Sequence, residues 1–328
     1  MTPELTEDRQ LRSGVRYEEV PGDCAGQRVD NYLMRVLKTV PRTRIYRLLR
    51  RGEVRVNGKR AAPDLRLQGG DRVRIPPVRV EAEIPPLAPP ASLRTRLENA
   101  VIYEDRHLIA LDKPAGIAVH GGSGLSLGVI EALRAQRPRE TLELVHRLDR
   151  DTSGCLLVAR DRKTLRELHA LIREGAMEKK YLALVRGNWQ HGELRVDAPL
   201  ATDHRRGGER HVRTAAHGKE SVSVFRPLQS FGARATLMEV DIHTGRTHQI
   251  RVHASHAGHA LAGDEKYGDP EFNREMRTFG LERLFLHAHS IAFDWPGSAA
   301  PAHFSAPLSA DLKAVLDKLQ AERRRRRS

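Results

Sequence analysis

The segment LVHRLDRDTSGCLLVA, residues 144–159, holds a run of charged residues between two apolar stretches. Apolar runs of this length beside Gly and polar residues are typical of buried strands, so we predict that the charged run is a tight connection within a sheet. Asp149 lies in that connection. Catalytic groups concentrate on loops held by a rigid sheet. Judged by its chemistry alone, however, an aspartate in such a loop is more often a turn residue.

The same alternation of apolar runs and turns continues over residues 97–312, and helical patterns intervene, one of them with Asp161 as its predicted N-cap. Short turns such as 230–232 join antiparallel strands. We therefore predict an α+β domain built on a mixed, largely antiparallel sheet, not a doubly wound parallel one. The strand-like runs are HLIAL (107–111), CLLVA (155–159), YLALV (181–185), SVSVF (221–225), ATLMEVDI (235–242) and LFLHAHSIAF (284–293).

A smaller α/β module is predicted upstream, within residues 19–80. Apolar residues at helical spacing begin at Val29 and again at Ile45. The segment EVRVNGKRA then surrounds Asn57-Gly58, a pair that accepts the positive φ angles of a type I′ turn, so a β-hairpin is expected. A short strand, RVRI, follows the turn at residues 69–71.

Positive charge is concentrated in this small module. The chain as a whole has 56 Lys and Arg against 42 Asp and Glu, a net charge of +14. Between residues 28 and 60 only Asp30 and Glu53 are acidic, whereas the basic residues are Arg28, Arg35, Lys38, Arg42, Arg44, Arg47, Arg50, Arg51, Arg55, Lys59 and Arg60. A solvated basic surface is the plain alternative, but so one-sided a density favours phosphate binding, hence a nucleic-acid partner.

Composition changes suggest further boundaries along the chain. We expect an N-terminal tail over residues 1–18, a proline-rich linker over 81–96 and a basic, disordered tail over 313–328 that touches phosphates. Six of the eighteen prolines lie within residues 76–90, and the C-terminal tail contains five consecutive arginines. With two distant cysteines, no apolar run of membrane length and no apolar leader, we expect a cytoplasmic protein.

Two other features have competing interpretations. Five histidines between residues 243 and 259 suggest a metal site, and His253 and His256 could share a helix face. No cysteine or clear carboxylate set completes a ligand shell, so we predict no metal and prefer histidines lining an RNA groove. Tyr181 begins a strand after two lysines. It is either an ordinary half-buried tyrosine or a stacking platform for an extruded base.

Together these segments resemble a known family. HRLDRDTSG (146–154), KKYLALVRG (179–187) and TGRTHQIRVH (244–253) look like the motifs of the RluA-type RNA pseudouridine synthases. KPAGIAVHGG (113–122) and LFLHA (284–288) match further elements of that family. The upstream module resembles an S4 RNA-binding domain in RVDNYL, RGEVRVNGK and GGDRVRI. The resemblance covers residues 28–307 and implies the pseudouridine synthase fold with an N-terminal S4 domain.

The resemblance also implies roles for individual residues. Asp149 becomes the catalytic aspartate, Tyr181 the tyrosine that packs on the target base, and Arg251 the arginine paired with the aspartate. Arg147 becomes the arginine that enters the RNA stack as the uridine leaves. Further RNA-binding residues are expected at His120, Arg246 and His248, and in the S4 module at Arg44, Arg47, Arg51 and Lys59.

The reaction implied is the isomerisation of uridine to pseudouridine, which needs no redox change or group donor and so no cofactor. Residues 118–134 most resemble one subgroup of the family, which implies a few uridines of 23S ribosomal RNA as targets. The substrate is then 23S ribosomal RNA or a large-subunit assembly intermediate, with no membrane partner, and we expect a monomer. Two other classes stay open: a non-catalytic RNA-binding or ribosome-assembly factor, and a metal-dependent nuclease or hydrolase.

Overall fold

The structure, a computed structural model, describes residues 14–37, 40, 42–78, 89–121, 127–204, 210–295, 298 and 300–326. The chain forms two compact units, the first ending at Leu87 and the second beginning at Ala88. Among the helices of the described part, none combines the length and apolar character that crossing a bilayer requires.

The first unit packs two helices on a small antiparallel sheet. Its elements are β1 (Arg16–Glu19), α1 (Val29–Val36), α2 (Arg42–Arg51), β2 (Arg55–Val56), β3 (Lys59–Arg60) and β4 (Arg72–Ile75), with a 3₁₀ turn at Gly22–Cys24. The strand order is β1-β4-β2-β3. Ile45, Leu48 and Leu49 face a core of buried side chains, as their helical spacing predicts. The hairpin is confirmed, since Asn57 and Gly58 have φ angles of 50° and 78°.

Two predicted boundaries differ from the structure. Residues 16–18, assigned to the N-terminal tail, belong to β1, which pairs with β4 over Arg16–Glu19. Part of the predicted linker is helical: α3 (Ala91–Glu98) begins after Pro90. The burial of Leu97 in the core of the second unit holds this helix in place. The proline-rich stretch 81–88 lies outside the described residues. The short, mostly polar sequence of α3 did not predict a helix, because Leu97 is its single buried residue.

The second unit is built on one large sheet. Its strands are β5 (Val101–Glu104), β6 (Leu108–Lys113), β7 (Glu143–Leu144), β8 (Ser153–Ala159), β9 (Met177–Arg186), β10 (Leu194–Asp197), β11 (Leu200–His204), β12 (Arg210–Thr214), β13 (Val222–Ser230), β14 (Ala235–Ile242), β15 (Leu286–Phe293) and β16 (Ala302–Ser305). Its helices are α3, α4 (Val129–Gln136), α5 (Arg162–Glu174), α6 (Gln249–His256), α7 (Pro270–Thr278) and α8 (Ala310–Arg325).

Ten of these strands share the sheet, in the order β10-β13-β14-β9-β15-β8-β6-β5, with β16 beside β15 and β7 beside β8. The pair β8 and β15 is parallel and the other described pairs of this sheet are antiparallel. Strands β11 and β12 form a separate hairpin. The predicted α+β class with a mixed, largely antiparallel sheet is confirmed.

The parallel contact between β8 and β15 depends on one glycine. Gly154 pairs with Ala288 and has a φ of 110°, which is rare for residues with a side chain. A Cβ atom at this position would lie 2.2 Å from the carbonyl oxygen of Ala288. Glycine therefore lets β8 approach β15 closely, and this contact fixes the start of β8, where the Asp149 loop ends.

The prediction of a disordered C-terminal tail over residues 313–328 was wrong for its described part, which is helical up to Arg325. Residues 310–325 form α8, and Leu312, Val315 and Leu319 are buried against apolar side chains such as Leu184 and Phe231. Arg323 donates a hydrogen bond of 2.6 Å to the carbonyl oxygen of Ser230. The arginines at 323–325 form the last turn of an anchored helix, where positive charge complements the helix dipole.

Candidate active site

Asp149 lies in the connection between β7 and β8, and a buried lysine holds the backbone of that connection. The Lys113 ammonium is fully buried and donates to the carbonyl oxygens of Pro114 (2.9 Å), Ile117 (2.9 Å) and Arg150 (3.1 Å). Burial lowers the pKa of Lys113 to about 8, against the opposing charges of Asp151 and Asp149. The lysine thus ties residue 150, next to Asp149, to the segment that follows β6.

A second loop, residues 243–248, faces the first and leads into α6. Gln249 organises it, because its side-chain oxygen accepts bonds from the backbone N–H of Arg246 (3.0 Å) and the hydroxyl of Thr244 (2.7 Å). Its amide group donates to the carbonyl of Val222 and the hydroxyl of Ser223. The loop is therefore pinned to β13, and α6 starts from a defined position with Arg251 in its first turn.

Arg251 stands between two carboxylates. Its Nε and Nη2 donate to Asp264 at 2.7 Å each, whereas its Nη1 lies 3.7 Å from Asp149 Oδ2. Burial alone would lower the pKa of Arg251, but the hydrogen bonds and charge of Asp264, with a contribution from Asp149, raise it. Burial would likewise raise the pKa of Asp264, yet the bonds from Arg251 hold it below its usual value.

This geometry refines the predicted pairing. Asp149 and Arg251 are close, as predicted, but at 3.7 Å they form an ion pair and not a hydrogen bond. The hydrogen-bonded partner of Arg251 is Asp264, which is 2% exposed. The side chain of Asp149 is 20% exposed, so its carboxylate stays accessible beside a fixed positive charge.

Tyr181 is a buried residue of β9, 7% exposed. It pairs with Val240 on β14 and Ala288 on β15, so neighbouring strands fix its position on both sides. Burial, and then the charge of Asp149, raises the pKa of the phenol well above its usual value. At neutral pH Tyr181 keeps its proton.

Two cavities meet at Asp149. The smaller, about 70 Å³, is lined by Asp149, Tyr181 and Arg251, together with Arg147, Arg246 and His248. The larger, about 860 Å³, also reaches Asp149, Arg147, His248 and Arg251, and it extends to His120 and Asp264. A volume of this size is within the range of ligand-binding clefts. The carboxylate therefore lines a cleft with room for a nucleotide.

The predicted RNA-binding residues fall into two groups. In the second unit, Arg147, Arg246 and His120 are exposed and His248 is half-buried, and all four line the cavities. The others belong to the first unit, where their side chains are exposed: Arg44, Arg47 and Arg51 on α2 and Lys59 on β3. The structure brings the first group to Asp149.

The histidine-rich segment does not form a shared helix face. His253 is fully buried and bonds to Ser223 Oγ and the carbonyl of Ala198, whereas His256 is exposed. Within the described residues, no three His, Cys, Asp or Glu side chains are gathered as metal ligands would be. His253 is instead a core residue whose pKa is lowered by burial.

Three residues of the site were not found in the sequence. Asp264 and Tyr267 lie in the irregular segment before α7, where no periodicity marks a buried carboxylate or a tyrosine against His248. Lys113 begins the motif KPAGIAVHGG, which does not by itself predict a role for the lysine. The segment LAGDEKYGD predicts a tight turn, because each of its two glycines stands beside an aspartate.

Comparison with known proteins shows the family of the chain. The RNA pseudouridylate synthase family model matches residues 107–256, and the S4 domain model matches residues 27–73. Together with the relatives described next, these matches establish the class: the chain belongs to the RNA pseudouridylate synthase family.

The relatives are similar over almost their whole length. The chain is 51% identical to ribosomal large subunit pseudouridine synthase C of Escherichia coli K12, across 94% of this chain and 98% of that one. It is 49% identical to the protein of the same name from Pasteurella multocida, across 97% and 98%. This is the subgroup that residues 118–134 were predicted to resemble.

Solved structures share the fold. Human RNA pseudouridylate synthase domain containing 4 matches with a TM-score of 0.58 at 25% identity, covering 70% of this chain and 96% of that one. Human RNA pseudouridylate synthase domain containing 1 matches with a TM-score of 0.55 at 24% identity, covering 72% of this chain and 97% of that one. The pseudouridine synthase fold predicted for the larger domain is confirmed.

Proposed function

We propose that this chain converts a small set of uridines in large-subunit ribosomal RNA to pseudouridine, with Asp149 as the reacting carboxylate. The observation that carries the proposal is the placement of Asp149, half-buried and 3.7 Å from Arg251, where two cavities meet beside Tyr181. The choice of RNA is supported by relatives at about half identity whose names specify the ribosomal large subunit.

The chemistry needs a carboxylate and little else from the protein. The glycosidic bond between N1 of the uracil and C1′ of the sugar breaks, the uracil turns within the site, and a bond between C5 and C1′ replaces it. C5 loses its proton and N1 gains one, so the product is an isomer of the substrate. The carboxylate either attacks the nucleotide or removes a sugar proton. In both routes Arg251 supplies a fixed positive charge, and Asp264 keeps that guanidinium oriented. No step takes up or releases electrons, so we propose that no cofactor takes part.

The target uridine has to leave its helix to reach Asp149. Flipping a base costs a few kcal/mol, and stacking on an aromatic ring returns about 1–3 kcal/mol. We assign the stacking to Tyr181, whose ring borders the cavity at Asp149. Arg147 is exposed and lines both cavities, and we assign it to filling the gap left in the RNA stack.

The first unit supplies the grip on flanking phosphates. Its exposed arginines and lysine face solvent on α2 and β3, and its helices carry almost no acidic residues. Phosphate contacts of this type position an enzyme on RNA without reading sequence. We therefore assign residues 19–80 to RNA gripping, 97–312 with α8 to catalysis, and expect the chain to act as a monomer in the cytoplasm.

The test uses unmodified transcripts of large-subunit and small-subunit ribosomal RNA, and assembly intermediates from a strain that lacks the gene. Pseudouridines are mapped by carbodiimide labelling and primer extension, with and without chelator. We expect modification at a few large-subunit positions, none in small-subunit RNA, and no effect of chelator. RNA that is bound but unmodified in every form would indicate an assembly factor, and loss of activity with chelator would indicate a metal-dependent enzyme.

A further inference from the structure

A chain of hydrogen bonds leads from the β11–β12 hairpin to the site. The backbone N–H of Val212, on β12, donates to the hydroxyl of Tyr267 at 3.0 Å. That hydroxyl lies 2.8 Å from Nδ1 of His248. The other ring nitrogen of His248, Nε2, lies 3.9 Å from Asp149 Oδ2. Tyr267 is thus the link between a backbone group of the hairpin and the histidine that faces the carboxylate.

The directions of these bonds follow from their donors. A backbone N–H only donates, so the Tyr267 oxygen accepts from Val212 and keeps its own proton for another partner. Within the described part of the chain, His248 Nδ1 is the acceptor found within hydrogen-bond distance of that hydroxyl. If Nδ1 accepts, the neutral imidazole carries its proton on Nε2, the nitrogen that faces Asp149.

The backbone of His248 agrees with a constrained role. His248 has a φ of 54°, a left-handed conformation that is uncommon for a residue with a side chain. Such conformations persist where the surroundings impose them, and they concentrate at functional sites. Here the ring of Tyr267 packs edge-on against the imidazole of His248 at 5.4 Å, and the ring of His211 on β12 packs against Tyr267 at 5.1 Å.

We propose that Tyr267 is a positioning residue that holds His248 as the neutral, Nε2-protonated tautomer facing Asp149, and that it makes this arrangement depend on the seating of the β11–β12 hairpin. The inference rests on the proposed function. The distance of 3.9 Å is too long for a hydrogen bond, so in this state Nε2–H orients toward the carboxylate without bonding to it. A substrate-bound site would shorten the contact.

The charges around His248 define what protonation would do. The titratable and charged groups facing it are Asp149, Asp264, Arg251, Lys266 and Tyr267, and His211 packs on the ring of Tyr267. Burial lowers the pKa of His248, while Asp149 opposes that effect and Arg251 and Lys266 add to it. A protonated ring would pair with Asp149 and compete with Arg251 for the carboxylate, so the neutral form suits the reaction.

The first test measures kinetics of Tyr267→Phe, which keeps the ring over Arg251 but removes the hydroxyl. We expect kcat to fall about 10- to 100-fold, the order of loss when a group in the site is misplaced, with little change in KM. Without a donor to Nδ1, His248 accepts a proton more readily, so the acid limb of the kcat/KM profile should move to higher pH. A profile that only drops in height, or is unchanged, would overturn the inference.

The matched control is Tyr103→Phe, the same chemical change at another tyrosine. Tyr103 lies on the edge strand β5, outside the lining of both cavities, and its hydroxyl donates a hydrogen bond to Asp105. It should leave kcat and the pH profile at wild-type values. An equal loss in both variants would mean that a tyrosine hydroxyl matters only for stability.

The second test does not need activity, so it separates this inference from the proposed function. Long-range ¹H–¹⁵N spectra report the tautomer of each histidine, and the signals that disappear in His248→Gln identify His248. We expect the Nε2-protonated pattern in the wild type and a shift toward the Nδ1-protonated or charged ring in Tyr267→Phe. An Nδ1-protonated ring in the wild type would overturn the inference, whatever the enzyme assay shows.

Discussion

Asp264 accepts two hydrogen bonds from Arg251, each 2.7 Å long, and both side chains are buried. The carboxylate that holds the arginine is therefore Asp264, and not Asp149, which lines both cavities. This division leaves Asp149 accessible while its positive neighbour stays fixed. It also means that a residue outside the predicted set sustains the geometry of the site.

Removal of the Asp264 charge should be costly for folding. We expect Asp264→Asn to lower the free energy of unfolding by about 3–5 kcal/mol, because it removes the hydrogen-bonded counter-charge of a buried guanidinium. Denaturant unfolding measures the change. Glu271→Gln is the control, since its partner Arg274 and Glu271 itself are largely exposed and their ion pair contributes little. Equal effects of the two variants would contradict a structural role for the buried pair.

Tyr181 should contribute stacking through its ring. We expect Tyr181→Leu to weaken binding of target RNA by about 1–3 kcal/mol, the value of one stacked base, whereas Tyr181→Phe keeps the ring and should bind like the wild type. Filter binding to a large-subunit fragment provides the affinities, and thermal melts check that both variants fold. If the phenylalanine variant bound as weakly as the leucine variant, the stacking role would be wrong.

Lys113 should make stability depend on pH at the alkaline end. Its pKa is about 8 in the folded chain and near the ordinary 10.5 when unfolded, so the unfolded chain binds more protons between these values. Stability of the wild type relative to Lys113→Met should then rise with pH from about 8 to 10.5, by up to about 1.4 kcal/mol per pH unit. Urea unfolding across this window measures the difference, and a flat difference would mean that the burial of Lys113 does not shift its titration.

The basic face of the first unit, formed by Arg44, Arg47, Arg51 and Lys59, should govern the salt dependence of RNA binding. We expect the double variant Arg44→Gln, Arg47→Gln to reduce the slope of log affinity against log salt by about 0.7–0.9 for each phosphate that the variant no longer neutralises. The control removes two exposed charges from the second unit, Lys163→Gln with Arg274→Gln. An identical change of slope in both variants would show that general charge, and not this face, binds the RNA.

Much of the fold was predictable because local rules and tertiary packing agree. Strand β14 has the predicted limits, 235–242, and helix α5 begins directly after its predicted cap, because the apolar run and the capped amphipathic pattern both match what the core requires. Asp161 caps α5 by accepting from the N–H of Thr164 at 2.8 Å, as predicted. The turn at Asn57 likewise follows from backbone preferences alone.

The remaining features depend on distant contacts. The apolar residues of α8 are spaced for burial, but the arginine run that follows suggested a solvated tail. Arg251 was expected to pair with Asp149 because the motifs that contain them were recognised, whereas Asp264 lies in an irregular segment and gains its partner only when α6 and that segment meet. Tyr267 is found in the same way, through its hydrogen bond to His248.

We propose that the carboxylate of Asp149 carries out the isomerisation. The most direct measurement is pseudouridine formation by Asp149→Asn on large-subunit ribosomal RNA at saturating protein, with RNA binding measured in parallel. We predict no pseudouridine over a period in which the wild type modifies its targets completely, and RNA affinity close to that of the wild type. Turnover by the asparagine variant at the wild-type rate would show that this carboxylate does not carry out the reaction.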